Sequence, residues 1–162
     1  MVFENTCTVY VPCARLWDYM MLIPNVARCL PGVEEVIDLG NRNFAGHLTA
    51  KLGIIKMRLS GKISLESVDE QNRVAVMAVE ATDEKISGLI KGRLTMNLKE
   101  IAVAETKLTI QTDLKLLGKV GEFGQSIIKK KADQMMAEFA KNVSASVGQE
   151  GSFANSDSQM SS

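Results

Sequence analysis

The sequence has no surplus of either charge: Lys plus Arg and Asp plus Glu number 19 each among 162 residues. Phosphate binding draws on excess cationic charge, so no nucleic-acid partner is expected. Histidine is nearly missing, with His47 alone, and Cys7, Cys13 and Cys29 form no CxxC pair. This excludes a zinc cluster or a disulfide framework, and no cofactor is expected. No run reaches the roughly 18 uninterrupted apolar residues that a membrane-spanning helix needs. The N-terminus has an early Glu4 and lacks the charged lead-in and long apolar stretch of a secretion signal, so a cytoplasmic location is expected. There is no Walker loop, GxSxG, HExxH or GxGxxG. What remains is an ordinary globular composition, 46% hydrophobic and 23% charged, which suits one core and excludes a wholly disordered or collagen-like chain. Residues 1–147 are read as that domain, and the Ser-, Gly- and Asn-rich stretch 148–162 as a disordered polar tail.

Alternation is the dominant pattern. Ile90, Gly92, Leu94, Met96 and Leu98 alternate with Lys91, Arg93, Thr95, Asn97 and Lys99, as a half-buried strand requires. The same period sets Leu108, Ile110, Leu114 and Leu116 on one face, and likewise Met57, Leu59, Ile63 and Leu65, and Phe44, Leu48, Ala50 and Leu52. Further strands are expected at Phe3 to Val11, Val33 to Leu39 and Arg73 to Thr82. Turn signals at Gly40-Asn41, Asp69 to Asn72 and Asp83 to Gly88 suit antiparallel hairpins, so the class is α+β with a meandering antiparallel sheet. Pro12 starts one short helix and Pro24 a second. From Lys119 to Val147, Phe123, Ile127, Met135, Phe139, Val143 and Val147 recur near the helical period, predicting a helix about 40 Å long. Such a helix can lie along the whole sheet and needs it to cover the apolar stripe.

Gly46, Gly61 and Gly92 fall inside three strands, all in the inward-facing set. Together they predict a strongly curved sheet that grips the helix and leaves room beneath it. That interior is Leu, Ile, Met, Val, Ala, Gly and Phe, a lining that binds apolar molecules and does little chemistry. Met20, Met57, Met77, Met96 and Met135 belong to it, either as adaptable ligand contacts or as core filler. Glu35 is in phase with Val33, Ile37 and Leu39, and faces inward unless a bulge turns it out. His47, out of phase with Phe44 and Leu48, is expected in solvent, out of reach of a sheltered substrate. Cys7 and Cys29 have no evident base and are read as structural. The adjacent carboxylates Glu34-Glu35 and Asp83-Glu84 diverge on strands and make poor acid/base pairs. Lys129-Lys130-Lys131 is a solvated face or a contact for anionic lipid or an acidic protein, and Met20 to Pro24 is core or an apolar lip.

The order of elements resembles the helix-grip fold of the START-type and pollen-allergen lipid-binding superfamily: a curved antiparallel sheet wrapped around a long C-terminal helix, with two short helices after the first strand. More narrowly, the chain is similar to the family of carbon monoxide dehydrogenase G-subunits. The matching pieces are Leu16-Trp17, IPNVARCLPGVEEV from Ile23 to Val36, KLGIIKMRLSGKISL from Lys51 to Leu65, GLIKGR from Gly88 to Arg93, and GKVGEFGQSIIKKKADQMMAEFAKNV from Gly118 to Val143. The resemblance implies a non-enzymatic accessory protein of a molybdenum hydroxylase, associated with tethering that enzyme to the cytoplasmic membrane and with carrying a lipophilic quinone.

The expectation is a carrier of a lipophilic small molecule, quinone-like or acyl, which acts in the cytoplasm or peripherally at the inner face of the membrane, through transient surface contact. The ligand would enter near Trp17, Met20 and Leu30. It would lie against Phe44, Leu48, Leu59, Met77, Leu94, Met96 and Ile110 of the sheet and Phe123, Ile127 and Met135 of the helix. The rivals are a cyclase or hydratase on the same fold, using an interior Glu35, and a protein-only assembly factor whose interior is filled by side chains.

Overall fold

Period-two alternation carried through most of the chain gives seven strands, and the computed structural model describes them within residues 1–83 and 85–160, with side chains described through residue 147. In chain order the elements are β1 (Val2–Val9), α1 (Cys13–Met21), α2 (Ile23–Cys29), β2 (Val33–Gly40), β3 (Asn43–Leu52), β4 (Ile55–Asp69), β5 (Val74–Asp83), β6 (Gly88–Ala102), β7 (Glu105–Gly118), a 3-10 turn (Lys119–Glu122) and α3 (Gln125–Met160). The sheet runs β1-β7-β6-β5-β4-β3-β2 and is antiparallel throughout. Every pairing joins sequence neighbours except β1 with β7, which brings the two ends of the domain together. This is the expected α+β helix-grip arrangement. The tail expected from residue 148 onward lies outside the residues whose side chains are described.

The inward glycines set the curvature. Gly46 pairs with Gly61, and Gly61 with Ala81, so a row of minimal side chains crosses β3, β4 and β5. A β-carbon on Gly61 would lie 3.2 Å from Glu80 O, and one on Gly92 only 2.0 Å from Asp113 O. Neighbouring backbones thus close up on the concave side where a side chain would hold them apart. Gly32 closes the turn between α2 and β2 in the left-handed region, with φ 82°. Its carbonyl accepts from Thr49 N at 2.9 Å, which pins the turn to β3.

Two expectations about local structure are corrected. The first concerns β2, where the register passes from Glu34 opposite His47 to Ile37 opposite Ala45. Glu35 and Val36 therefore face the single residue Gly46, and Glu35 adopts φ 55°. The bulge fits because Gly46 has no side chain: a β-carbon there would stand 3.3 Å from both Glu34 O and Val36 Cγ2. Beyond it the phase reverses, so Ile37 and Leu39 are exposed and do not point inward with Val33.

The second correction concerns the long helix, which starts at Gln125 and not Lys119. Gly121 and Gly124 interrupt it, leaving a 3-10 turn and an extended Phe123 with ψ 130°. In addition, β1 ends at Val9, two residues before the expected Val11.

The core gathers where α1, α2 and the C-terminal part of α3 meet. Leu16, Trp17, Met20, Phe139, Val143 and Val147 pack there against Val9, Met96, Leu98 and Leu108 of the sheet. A smaller cluster at the opposite end joins Met57 and Leu59 to Val120 of the 3-10 turn. Gly92→Ala is expected to destabilise the protein by about 3 kcal/mol through collision with backbone, and Gly46→Ala by about 1 kcal/mol. Urea unfolding midpoints of the two variants check the order.

Candidate functional site

The helix that covers the concave face is packed unevenly. In its C-terminal part Phe139, Ala140, Val143 and Val147 are buried, Val143 completely. In its first turns Gln125, Ser126, Ile127, Lys129 and Lys130 are exposed, and the sheet-facing Ile128, Ala132 and Met135 are only half-buried. Opposite them, Phe44, Ile63, Leu65, Met77, Val79 and Leu94 project from β3, β4, β5 and β6 into the concavity, and they too are only half-buried. Leu65, Met77, Leu94 and Thr112 stand in one row across four strands. Apolar side chains aimed at a covering helix yet still partly accessible mark space that the two layers do not fill. The result is an apolar groove, closed at one end by the α1–α2 core and bounded at the other by Val120 and Phe123.

Beside β3 lies a cleft that shares Met135 with the groove. The cleft, of about 180 Å³, is lined by Pro31, Gly32, Thr49, Ala50, Lys51, Lys131, Gln134, Met135 and Glu138. Ala50 and Met135 give it apolar wall, and lysines, Gln134 and Glu138 supply polar groups. Of these, only Met135 stood among the site residues expected from the sequence. Pro31-Gly32 was legible as a turn, but nothing in the strand pattern brings it to the helix.

The structure divides the other expected site residues. Trp17, Met20 and Met96 are buried in the α1–α2 core, with Leu30 and Ile110 packed against it. Of the three expected at the entrance, Trp17 and Met20 are buried and Leu30 is half-buried. Leu59 belongs to the cluster at the opposite end, against which Leu48 and Phe123 pack. Phe44, Met77 and Leu94 line the groove floor between these clusters, whereas Ile127 is exposed at the start of the helix.

Polar groups inside are few. Asn5 of β1, 2% exposed, donates from Nδ2 to Lys129 O at 3.3 Å and to the Asp133 carboxylate. This fastens β1 to the first turns of α3, and Asn5 Oδ1 is left without a partner. Asp83 is buried at the inner edge, but its carboxylate accepts from the backbone N–H groups of Arg58 at 3.0 Å, Lys85 at 2.8 Å and Ile86 at 3.3 Å. It acts as a clamp between β4 and the β5–β6 turn. The bulge turns Glu35 outward with its side chain 61% exposed, where Oε2 lies 2.9 Å from His47 Nδ1 and 3.7 Å from Arg58 Nη2. His47 Nδ1 has no hydrogen-bond partner despite that distance, so the contact is electrostatic and out of line for a shared proton. Glu35 and His47 therefore share the convex face and do not reach the groove.

The three cysteines are free, Cys13 and Cys29 buried and Cys7 half-buried. Burial pushes the Cys7 thiol up to about 11, so it stays protonated at neutral pH. Cys29 is buried, with Sγ 3.3 Å from the Tyr19 hydroxyl. Among the described residues no group of three or more His, Cys, Asp or Glu could hold a metal ion. No helix searched among them is long and apolar enough to cross a membrane. At pH 8 Cys7 is expected to resist iodoacetamide in the native protein and react after unfolding, as read by mass. Its folded-state value is raised, so the unfolded thiol ionises first, and wild type should lose more stability than Cys7→Ala as pH rises through about 9.

Comparison with solved structures fits this geometry. A conserved protein from Geobacillus kaustophilus superposes with a TM-score of 0.80 at 15% identity, covering 92% of this chain and 96% of that one. A START superfamily protein from Mycobacterium smegmatis gives 0.65 at 10% identity, covering 91% and 97%. The Zhui aromatase/cyclase of a Streptomyces strain gives 0.62 at 15% identity, covering 92% and 94%. At such identities the likeness is one of fold. No curated protein matches the sequence. Residues 6–148, nearly the whole domain, match the profile of the carbon monoxide dehydrogenase G-subunits (CoxG), and the chain belongs to that family.

Proposed function

We propose that the protein is a non-enzymatic carrier that holds a lipophilic small molecule, quinone-like or acyl, in the groove between the sheet and the first half of α3. The observation that carries this reading is the partial exposure of Phe44, Met77 and Leu94 beneath a helix that ought to seal them. Apolar surface left accessible inside a fold gains about 25 cal/mol per Å² when an apolar guest covers it, before association costs are subtracted. The cleft beside β3 is the way in, and its lysines and Gln134 offer partners to a polar head group. Family membership supports delivery to, or membrane recruitment of, a molybdenum hydroxylase of the CO dehydrogenase type, from a peripheral position at the inner face of the membrane.

A protein-only assembly factor is the second reading, and the cleft volume favours it. About 180 Å³ is below the roughly 300 Å³ at which small-molecule sites usually begin, so a full-length ligand requires the groove beyond the cleft to be occupied as well. A cyclase or hydratase is less well supported, because its expected acid, Glu35, lies on the convex face.

Organic extraction of the native protein followed by mass spectrometry is expected to yield a lipophilic molecule, and purified menaquinone is expected to bind the stripped protein. Met77→Trp, which fills the groove floor, should weaken that binding at least tenfold while the thermal transition persists. Empty extracts together with no menaquinone binding would decide for the assembly factor.

A further inference from the structure

Net neutrality hides an uneven distribution of charge between the two ends of the sheet. Pairing of Leu52 with Ile55, Asp83 with Gly88 and Gly88 with Gly118 places the β3–β4 and β5–β6 turns and the exit of β7 at one end. Ile54, at the tip of the β3–β4 hairpin, is 96% exposed, and Ile55 and Leu117 are exposed near it. Around them Lys51, Lys56, Lys85 and Lys119 are exposed as well. By sequence the acids of these three segments and the 3-10 turn are Asp83, Glu84 and Glu122, and because Asp83 is buried and bonded to backbone, the four lysines still outnumber the acids left to offset them.

The opposite end supplies an internal comparison. Its β6–β7 turn also exposes apolar side chains, Ile101 and Val103, but there Glu100 and Glu105 balance the exposed Lys99 and Lys107. Apolar exposure alone therefore does not distinguish the two tips; the excess of lysine around one of them does.

We propose that the Ile54 hairpin, with its ring of lysines, is the surface by which this protein docks on an anionic lipid bilayer. Isoleucine enters the acyl boundary while the lysine stems lie along it and keep their ammonium groups at the phosphate level. A protein partner is the poorer fit, because interface anchors are typically Trp, Tyr and Arg and lysine is depleted there, and this tip offers isoleucine and lysine. Lys51 also lines the cleft beside β3, so docking by this end turns the mouth of the groove toward the lipid. The inference rests on the carrier reading for its purpose and not for its test.

The full chain is mixed with vesicles of phosphatidylcholine alone or with about one-third phosphatidylglycerol, and binding is read by co-sedimentation. Binding to the anionic vesicles, weakened by salt, is expected. Ile54→Asp should lower it at least tenfold. The pair Lys56→Glu and Lys85→Glu should lower it at least as much, each lysine near an anionic surface accounting for roughly a fivefold change. Val103→Asp at the opposite tip should leave it unchanged. All these positions are exposed, so circular dichroism melts should match wild type. Equal binding by Ile54→Asp, loss by Val103→Asp, or no binding of wild type to anionic vesicles overturns the proposal, as does an Ile54-dependent complex with a protein in place of lipid. If the tip variants still yield a lipophilic extract, failure to dock counts against this surface alone. An empty extract with docking intact counts against the carrier alone.

Discussion

One helix has to cover a concave apolar face that spans most of seven strands, and it fastens fully to only part of it. The C-terminal part of α3 is committed to the core made with α1, α2 and the ends of β1, β6 and β7. Its first turns carry Lys129, Lys130 and Gln134 outward and present only Ile128, Ala132 and Met135 toward the sheet. The small apolar side of those turns cannot satisfy Phe44, Leu65, Met77 and Leu94 together. Stability is concentrated toward one end of the molecule, and the unfilled space lies between that core and the smaller cluster around Val120. The division follows from the uneven distribution of large apolar residues along a single helix.

The glycines serve both sides of this arrangement. Their missing side chains let strand backbones approach until the sheet bends far enough to face a helix along its length. They also leave the floor of the groove thin where Gly46, Gly61 and Ala81 cross it. Two carboxylates are held away from the groove by other means. Asp83 is consumed by three backbone donors, and Glu35 is held outside by a bulge seated on Gly46.

Much of the fold could be read from the order of residues because strand alternation is a local signal with a short period. The inward sets of β3, β4, β6 and β7 are those expected. The errors occur where one residue decides the phase. The bulge at Glu35 reverses Ile37 and Leu39, and its clue was a glycine, Gly46, on a different strand. Gly121 and Gly124 delay α3, a weakness visible in the sequence but outvoted by the periodicity around it. The site was harder to read. Burial of Trp17 and Met20 depends on how tightly α1 meets α3, which no spacing along the chain encodes. Pro31, Thr49 and Glu138 come together only once the Gly32 carbonyl is bonded to Thr49. Asn5 looked like any polar residue of an edge strand until Asp133 and Lys129 were found above it.

The link between Asn5, Asp133 and the Lys129 carbonyl lies on the β1 side of the helix, and the cleft lies on the β3 side. A cover latched along one margin and loose along the other opens the way a book does about its spine. A small rotation there would widen the free margin most while the spine keeps its bonds and the core that keeps the molecule folded stays fastened.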